Sequence, residues 1–158
     1  MKNPPSGAHT RTVKFIRAPR EALYRAFLDP VAVAAWLPPG GMTGVIHQFE
    51  ARVGGCYRMS LIYPSSEPVF RGKASEREDR FTARFVELTP PSRIVQAITF
   101  DSADPAFAGE MTTVATFEAA DGGTELVLAC HDIPPGIRPE DNEEGCRLSL
   151  ETLARYIE

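Results

Sequence analysis

The sequence predicts a single α+β domain in which a curved antiparallel sheet of about six to seven strands wraps around one long C-terminal helix. A clean helical period of apolar residues occurs only over residues 139–158. Residues 45–133 consist of short alternating apolar segments divided by turn residues, which is typical of antiparallel strands. A sheet of this length must curve, and the final helix would fill its concave face.

The N-terminal part predicts a tail, one strand and two short helices. Residues 1–10 contain prolines and polar residues without a period, so we expect a disordered tail before a domain over residues 11–158. Residues 12–17 alternate as a strand, with Val13 and Phe15 on one side. Pro19 and the Asp29-Pro30 pair each mark a helix start. The second helix is apolar, so we interpret the pair as packing helices rather than a DNA-binding motif.

The middle of the chain predicts a meander of strands. Gly54-Gly55 predicts a two-residue hairpin turn, and the prolines of residues 89–92 predict a second turn. Residues 75–80 are charged and predicted to form a loop or a frayed strand edge, and residues 101–109 form a loop that contains Phe107. The predicted strands are residues 45–53, 56–63, 69–74, 81–88, 93–100, 110–118 and 124–133.

The long C-terminal helix carries three different faces. One is an apolar stripe with helical spacing, and a charged neighbouring face is predicted to lie in solvent. The third face is too small or too polar for a simple core stripe, so we interpret it as one wall of a cavity. The stripe consists of Cys146, Leu150, Leu153, Ala154 and Ile157, and the third face of Gly145, Ser149, Thr152 and Tyr156.

Composition disfavours several classes of function. The chain has 158 residues and a net charge of -4 without a local Lys/Arg cluster, which disfavours nucleic-acid binding. No apolar run reaches the roughly 20 residues of a membrane span, and residues 1–10 lack the apolar core of a signal peptide, so we expect a cytoplasmic protein. Cys56, Cys130 and Cys146 are odd in number and widely spaced, which predicts reduced thiols. Without metal-ligand spacings we predict neither a metal site nor a cofactor.

Four local motifs follow one another in a characteristic order. They are residues 19–27 with Asp29-Pro30 and Trp36, residues 49–58, residues 87–95, and residues 117–126. In order and spacing they resemble the helix-grip layout of the START and birch-pollen-allergen (SRPBCC) superfamily. Within it they are similar to the bacterial homologues of the activator of the ninety-kilodalton heat-shock-protein ATPase. The resemblance covers about residues 11–157.

The resemblance implies a hydrophobic cavity between the sheet and the long helix. Members of the superfamily bind lipids, sterols or polyketides, act as cyclases or hydrolases, or serve as co-chaperones. The long helix of the family often begins with a Gly-Trp pair, which Gly145 and Cys146 replace here. The missing indole implies a larger cavity, unless Phe and Met residues elsewhere fill it.

The candidate ligand-binding residues are apolar strand positions of the concave face together with residues of the helices and of the loop at 101–109. We also place Phe15 and Leu126 on this face. The cavity is expected to open near the loops at 38–44 and 101–109. The predicted binding residues are Trp36, Phe49, Met59, Leu61, Phe85, Ile98, Phe100, Phe107, Thr113, Phe117, Leu128, Cys146, Ser149, Leu150 and Tyr156.

No catalytic residue is predicted. Cys130 and His131 are neighbours on a strand and therefore face opposite sides, so they cannot act as a pair inside one cavity. His47 is expected at the surface or at a rim. Most charged strand residues should face solvent, and a charge that pointed inward would need a partner and would be the best catalytic or ligand-orienting candidate. The charges considered are Glu50, Arg58, Glu87 and Glu110.

Three functions remain open at this point. The first is binding of a small hydrophobic or aromatic ligand, such as a lipid, a sterol or a polyketide-like molecule. The second is a co-chaperone-like interaction module, which would need a contiguous exposed apolar patch. The third is a cyclase or hydrolase that uses the same cavity, which would need a titratable pair inside it.

Overall fold

The computed structural model describes residues 8–64 and 78–158, and it contains one sheet and three α-helices within that part of the chain. The strands are β1 (Ala8–Ile16), β2 (Thr43–Phe49), β3 (Cys56–Ile62), β4 (Glu78–Thr89), β5 (Arg93–Phe100), β6 (Met111–Ala120) and β7 (Gly123–Ile133). The helices are α1 (Arg20–Ala26), α2 (Pro30–Trp36) and α3 (Pro139–Ile157), and a short 3-10 helix covers Pro105–Phe107.

The seven strands form one antiparallel sheet in the order β1-β7-β6-β5-β4-β3-β2. Every pair except β1 with β7 joins strands that are consecutive in the chain, so the sheet is a meander whose first strand returns beside its last. The predicted α+β helix-grip class is confirmed, with two short helices after β1 and the long helix at the C-terminal end. The strand predicted over residues 69–74 lies outside the described residues, as do residues 1–7.

Several predicted boundaries are corrected by the strand pairing. β1 begins at Ala8, so residues 8–10 belong to the sheet and not to a tail. β4 begins at Glu78, because its first residues pair with the end of β3, so residues 78–80 form the end of a strand, the second of the two predicted alternatives, and not a loop. The prediction of a two-residue hairpin turn at Gly54-Gly55 is also wrong. β2 ends at Phe49, and a longer turn leads from it to β3.

The side chains of β1 face the opposite way from the prediction. Thr10, Thr12 and Ile16 are buried, whereas Val13 and Phe15 are 45% and 46% exposed. The inner face of β1 contacts α3 partly through polar groups, since the Thr10 hydroxyl donates to Asn142 Oδ1 at 2.6 Å. The apolar residues Val13 and Phe15 therefore do not mark the inner face of β1, and Phe15 does not lie on the concave face of the sheet.

The two short helices close one end of the concave face. Asp29 Oδ1 accepts a hydrogen bond from the backbone N–H of Val31 at 2.9 Å and caps α2. The indole Nε1 of Trp36 donates to the carbonyl oxygen of Ala26 at 2.9 Å, which ties α2 to the end of α1. The ring of Phe27 packs 4.7 Å from Trp36 between centroids. This aromatic contact anchors both helices over the sheet.

The helix α3 is buried unevenly along its length. Its buried residues are Ser149, Leu150, Leu153 and Ala154, all in the second half. Cys146 in the first half is only partly buried, and Tyr156 near the end is 48% exposed. Within the described residues, no helix is long and apolar enough to cross a membrane.

We expect Leu150→Ala to destabilise the protein by about 2–5 kcal/mol, because this fully buried side chain fills the contact between α3 and the sheet. Tyr156→Ala on the same helix is the matched control and should change the free energy of unfolding by less than about 0.5 kcal/mol. Urea unfolding followed by circular dichroism measures both. Equal losses in the two variants would show that α3 does not pack through its Leu150 face.

Candidate functional site

A cavity of about 680 Å³ lies between the concave face of the sheet, α2 and the first half of α3. Its volume falls within the range of roughly 300–1,000 Å³ that is usual for small-molecule sites. Strands β3 to β7 supply one wall, and α2, α3 and the connections at 37–42 and 136–137 supply the others. Most of the lining side chains are apolar.

The structure brings most of the predicted site residues together on the cavity wall. They come from four different strands, two helices and the 3-10 helix, so only the fold makes them neighbours. The predicted residues that line the cavity are Trp36, Leu61, Ile98, Phe100, Phe107, Thr113, Leu128, Cys146 and Ser149.

The remaining predicted residues do not line the cavity. Phe117 packs edge-on against Phe27 at 5.3 Å between ring centroids, and Phe85 packs against Phe49 and Tyr57. Aromatic side chains therefore fill the other end of the concave face as ordinary core. The residues placed in or against this core are Phe49, Met59, Phe85, Phe117 and Leu150, and Tyr156 points into solvent.

One inward-facing carboxylate was missed by the sequence analysis. Asp79 lines the cavity, is only 6% exposed, and accepts a hydrogen bond from the Tyr63 hydroxyl at 2.9 Å. It lies in the charged segment predicted as a loop or a frayed strand edge, and it continues the alternation of Phe81, Ala83 and Phe85 on the same face of β4. Extending that alternation backward by two residues would have found it.

A second polar position lies within the sheet. Gln96 shares the inner face of β5 with Ile98 and is 7% exposed, and it lines the cavity. The Thr113 hydroxyl on the paired strand lies 3.5 Å from Gln96 Oε1. Tyr57 also lines the wall, and burial raises the pKa of its hydroxyl above the ordinary value.

The charged strand residues considered in the sequence analysis lie away from the cavity. Glu50, Arg58 and Glu110 are exposed, and Glu87 is partly exposed. Three of these carboxylates form surface ion pairs, in which Glu50 pairs with Arg52, Glu87 with Arg93 and Glu110 with Arg84. Solvent screens such pairs, so they contribute little to stability.

The histidines named as candidates also face solvent. His131 is exposed and its ring stacks on His9, so it points away from Cys130 as expected. His47 is exposed, and its Nε2 lies 2.7 Å from the Ser60 hydroxyl on the neighbouring strand. That hydroxyl donates to Glu78. This polar cluster lies outside the cavity wall.

The sulfur atoms of Cys130 and Cys146 lie 3.8 Å apart on the cavity wall, although the two residues are distant in the sequence. The hydrogen bond between the two sulfurs lowers the pKa of Cys130 against the opposing effect of burial. The same hydrogen bond, together with burial, raises the pKa of Cys146. Within residues 8–64 and 78–158, no group of three or more His, Cys, Asp or Glu side chains could hold a metal ion.

A β-bulge in β7 determines which side chains reach this part of the wall. Between the pairs Ala8↔Ile133 and Thr10↔Cys130, β1 has one residue and β7 has two. Asp132, one of the two, has a φ of 58°. The extra residue shifts the alternation, so Cys130 and Ile133 are both buried while Asp132 is exposed.

Comparison with known proteins gives consistent matches over nearly the whole chain. The family model described as "Activator of Hsp90 ATPase homolog 1-like protein" matches residues 17–158. A crystal structure of a protein from Chromobacterium violaceum is 35% identical, with a TM-score of 0.84 over 94% of this chain and 96% of that one. An AHSA1 protein from Silicibacter pomeroyi is 17% identical, with a TM-score of 0.75 over 94% and 96% of the two chains. No curated protein sequence matches this one.

We expect Cys146→Trp to leave the free energy of unfolding unchanged or to raise it, because the indole would extend into the cavity and gain apolar contacts. Leu150→Trp, one turn further along α3, is the matched control. It inserts the same side chain into packed core and should cost about 1–3 kcal/mol. Thermal and urea unfolding midpoints measure both. A clear drop for Cys146→Trp would indicate that this end of the helix has no free volume.

Proposed function

Since the chain belongs to the family of Activator of Hsp90 ATPase homolog 1-like proteins, we propose that it binds a small hydrophobic or aromatic molecule between the sheet and α3. The observation that supports this most directly is the cavity of about 680 Å³ with mainly apolar walls. Burial of apolar ligand surface would supply the binding free energy. We also propose a cytoplasmic location, in keeping with the composition.

The polar groups of the wall indicate what else the ligand carries. Asp79 with Tyr63, and Gln96 with Thr113, form two separate polar positions on the sheet side of a mainly apolar wall. Further polar groups of the wall come from α3, namely Asp141, Asn142, Glu144 and Ser149. In such cavities a few polar groups orient the ligand, while apolar contacts supply most of the affinity. A lipid, sterol or polyketide-like molecule with a small number of hydroxyl or carbonyl groups fits this pattern best.

The entrance is proposed beside the 3-10 turn at Pro105–Phe107. The backbone N–H of Gly136 donates to the Ala106 carbonyl oxygen at 2.7 Å, so this turn rests on the connection that leads into α3. A Cβ atom at Gly136 would come within 2.9 Å of that oxygen and of the Phe107 ring, so only glycine permits this close approach. Phe107 and Pro39 both line the cavity and border the proposed entrance.

Catalysis in the same cavity is the weaker alternative. Asp79 satisfies the condition of an inward-facing carboxylate with a partner, which the sequence analysis set for a catalytic group. A hydrolase or cyclase would also require a second acid or base placed to act on the same substrate. We favour binding over catalysis because the wall of the cavity is mainly apolar.

Leu128→Trp should abolish binding of apolar ligands, because the indole would occupy the cavity from the β7 wall. Val127→Trp is the matched control, since the adjacent residue faces the other side of the same strand. Titration with a fatty acid, a sterol and a flavonoid, followed by amide chemical shifts and calorimetry, measures the effect. We expect a loss of affinity of at least about tenfold in Leu128→Trp only.

Two results would contradict the binding function. One is the absence of shifts with all three ligand classes, and the other is a set of shifts confined to the convex face of the sheet. A Leu128→Trp variant that bound as well as the wild type would also place the ligand elsewhere.

A protein-interaction function has one supporting observation of its own. Val13 and Phe15 on the edge strand β1 expose apolar side chains to solvent, and Val13 pairs with Val127 across the sheet. Together they form an outward-facing apolar surface, which a docking partner would cover. The family description names a chaperone ATPase as the target of related proteins, so a ninety-kilodalton heat-shock protein is the partner to test.

If this second function is correct, Phe15→Asp should reduce stimulation of the chaperone ATPase while leaving ligand affinity unchanged. Val45→Asp on β2 is the matched control, because it introduces the same charge at a comparably exposed apolar position near the opposite sheet edge. A steady-state ATPase assay measures the effect. No stimulation by the wild-type protein would exclude this function without affecting the ligand hypothesis.

A further inference from the structure

Two cysteines that are far apart in the chain meet on the cavity wall. Cys130 lies on β7 and Cys146 on α3, and their Sγ atoms are 3.8 Å apart. We propose that this pair is an oxidative modification site, at which hydrogen peroxide converts the two thiols into a disulfide that joins the sheet to α3. The third cysteine, Cys56, begins β3 and is not part of the cavity wall.

The number of sulfur ligands favours oxidation over metal binding. A structural zinc site takes four ligands and a catalytic one takes three. The groups beside the two thiols include the amide of Asn142, with Oδ1 at 3.9 Å from Cys146 Sγ, the thioether of Met111 beyond it, and the hydroxyl of Thr10 at Cys130. None of the three is a usual zinc ligand. A disulfide needs only the two sulfurs.

The position of Cys146 on α3 permits the required approach. The sulfurs must move from 3.8 Å to about 2 Å apart. The fully buried residues of α3 begin at Ser149, and Cys146 is only partly buried against the core. A Cβ atom at the neighbouring Gly145 would meet no other heavy atom within 4 Å, which shows open space on that side of the turn. Side-chain rotation and a small shift of the turn would close the bond.

The surroundings of the two cysteines favour the thiolate, which is the reactive form, on Cys130. The contact between the two sulfurs, 3.8 Å apart, lowers the pKa of Cys130, so the thiolate forms more readily on Cys130. Cys146 keeps its proton, since its own pKa is raised. Both residues line the cavity, which a molecule as small as hydrogen peroxide can enter. The thiolate is the nucleophile in such reactions.

The reaction proceeds in two balanced steps. The Cys130 thiolate attacks one peroxide oxygen, so an S–O bond forms and the O–O bond breaks. The departing hydroxide takes up a proton and leaves as water, and Cys130 is now a sulfenic acid. The Cys146 sulfur then attacks the Cys130 sulfur, the S–O bond breaks, and a second water leaves with the Cys146 proton. The thiols lose two electrons, and the peroxide gains them.

The disulfide would change the cavity as well as the redox state of the pair. It would link β7 directly to the first half of α3, which the reduced protein holds through partly buried side chains. This wall would then lie closer to the sheet, and the cavity would be smaller at that end. The link would also restrict the unfolded chain, so the oxidised protein should melt at a higher temperature than the reduced one.

The test treats the reduced full-length protein and its Cys56→Ser variant with hydrogen peroxide and measures the intact mass. Both should lose about 2 Da, the mass of two hydrogen atoms, and both should regain it with dithiothreitol. Peptide mapping should identify a Cys130–Cys146 crosslink. Cys130→Ser and Cys146→Ser, which keep a side chain of similar size, should not lose this mass.

Three outcomes would overturn the proposal. Alkylation of both Cys130 and Cys146 after peroxide treatment would show that no bond forms between them. A crosslink to Cys56, or a bond found only between two copies of the chain, would assign the oxidation to other thiols. If a serine variant fails to fold, as judged by circular dichroism, peptide mapping of the wild type and of Cys56→Ser decides the question.

Discussion

The packing of the second half of α3 into the curved sheet is the contact on which the other features of the fold depend. Leu150 and Leu153 are fully buried there, and Ser149 donates to the Leu37 carbonyl oxygen at 2.6 Å, which fixes α3 against the end of α2. The helix is held at this end, whereas residues of its first half, such as Asn142 and Cys146, line the cavity. The cavity is the space that remains beneath it, and its shape follows from where the helix is anchored.

Alternation and turn residues predicted most of this fold correctly. Strands β3 to β7, both short helices and α3 follow from local patterns, because each pattern reflects the contacts of its own element. The prediction failed where contacts with another element determine which face of a strand is buried. β1 turns Val13 and Phe15 outward because its Thr10 side binds Asn142 on α3, 132 positions away in the chain. A local pattern carries no information about such a partner.

The division of the concave face into core and cavity was likewise not predictable. Phe85 and Phe100 both face inward on the paired strands β4 and β5, yet one is fully buried in core and the other lines the cavity. The difference arises because aromatic rings from α1, α2 and β2 cover only one end of the sheet. Asp79 is a different case, since the sequence did contain the signal. Its charge favours a loop or a frayed strand edge, whereas the alternation that continues along β4 correctly indicates an inward-facing strand residue.

Trp36 has a consequence for how the protein can be studied. It is the single tryptophan of the chain, it is 1% exposed, and it lines the cavity while its Nε1 donates to Ala26. All indole fluorescence of the native chain therefore arises from one rigid position beside the cavity. Its emission reports on polarity and quenching there, with no background from other tryptophans. The molecule thus contains its own optical probe, which allows unlabelled compound libraries to be screened directly.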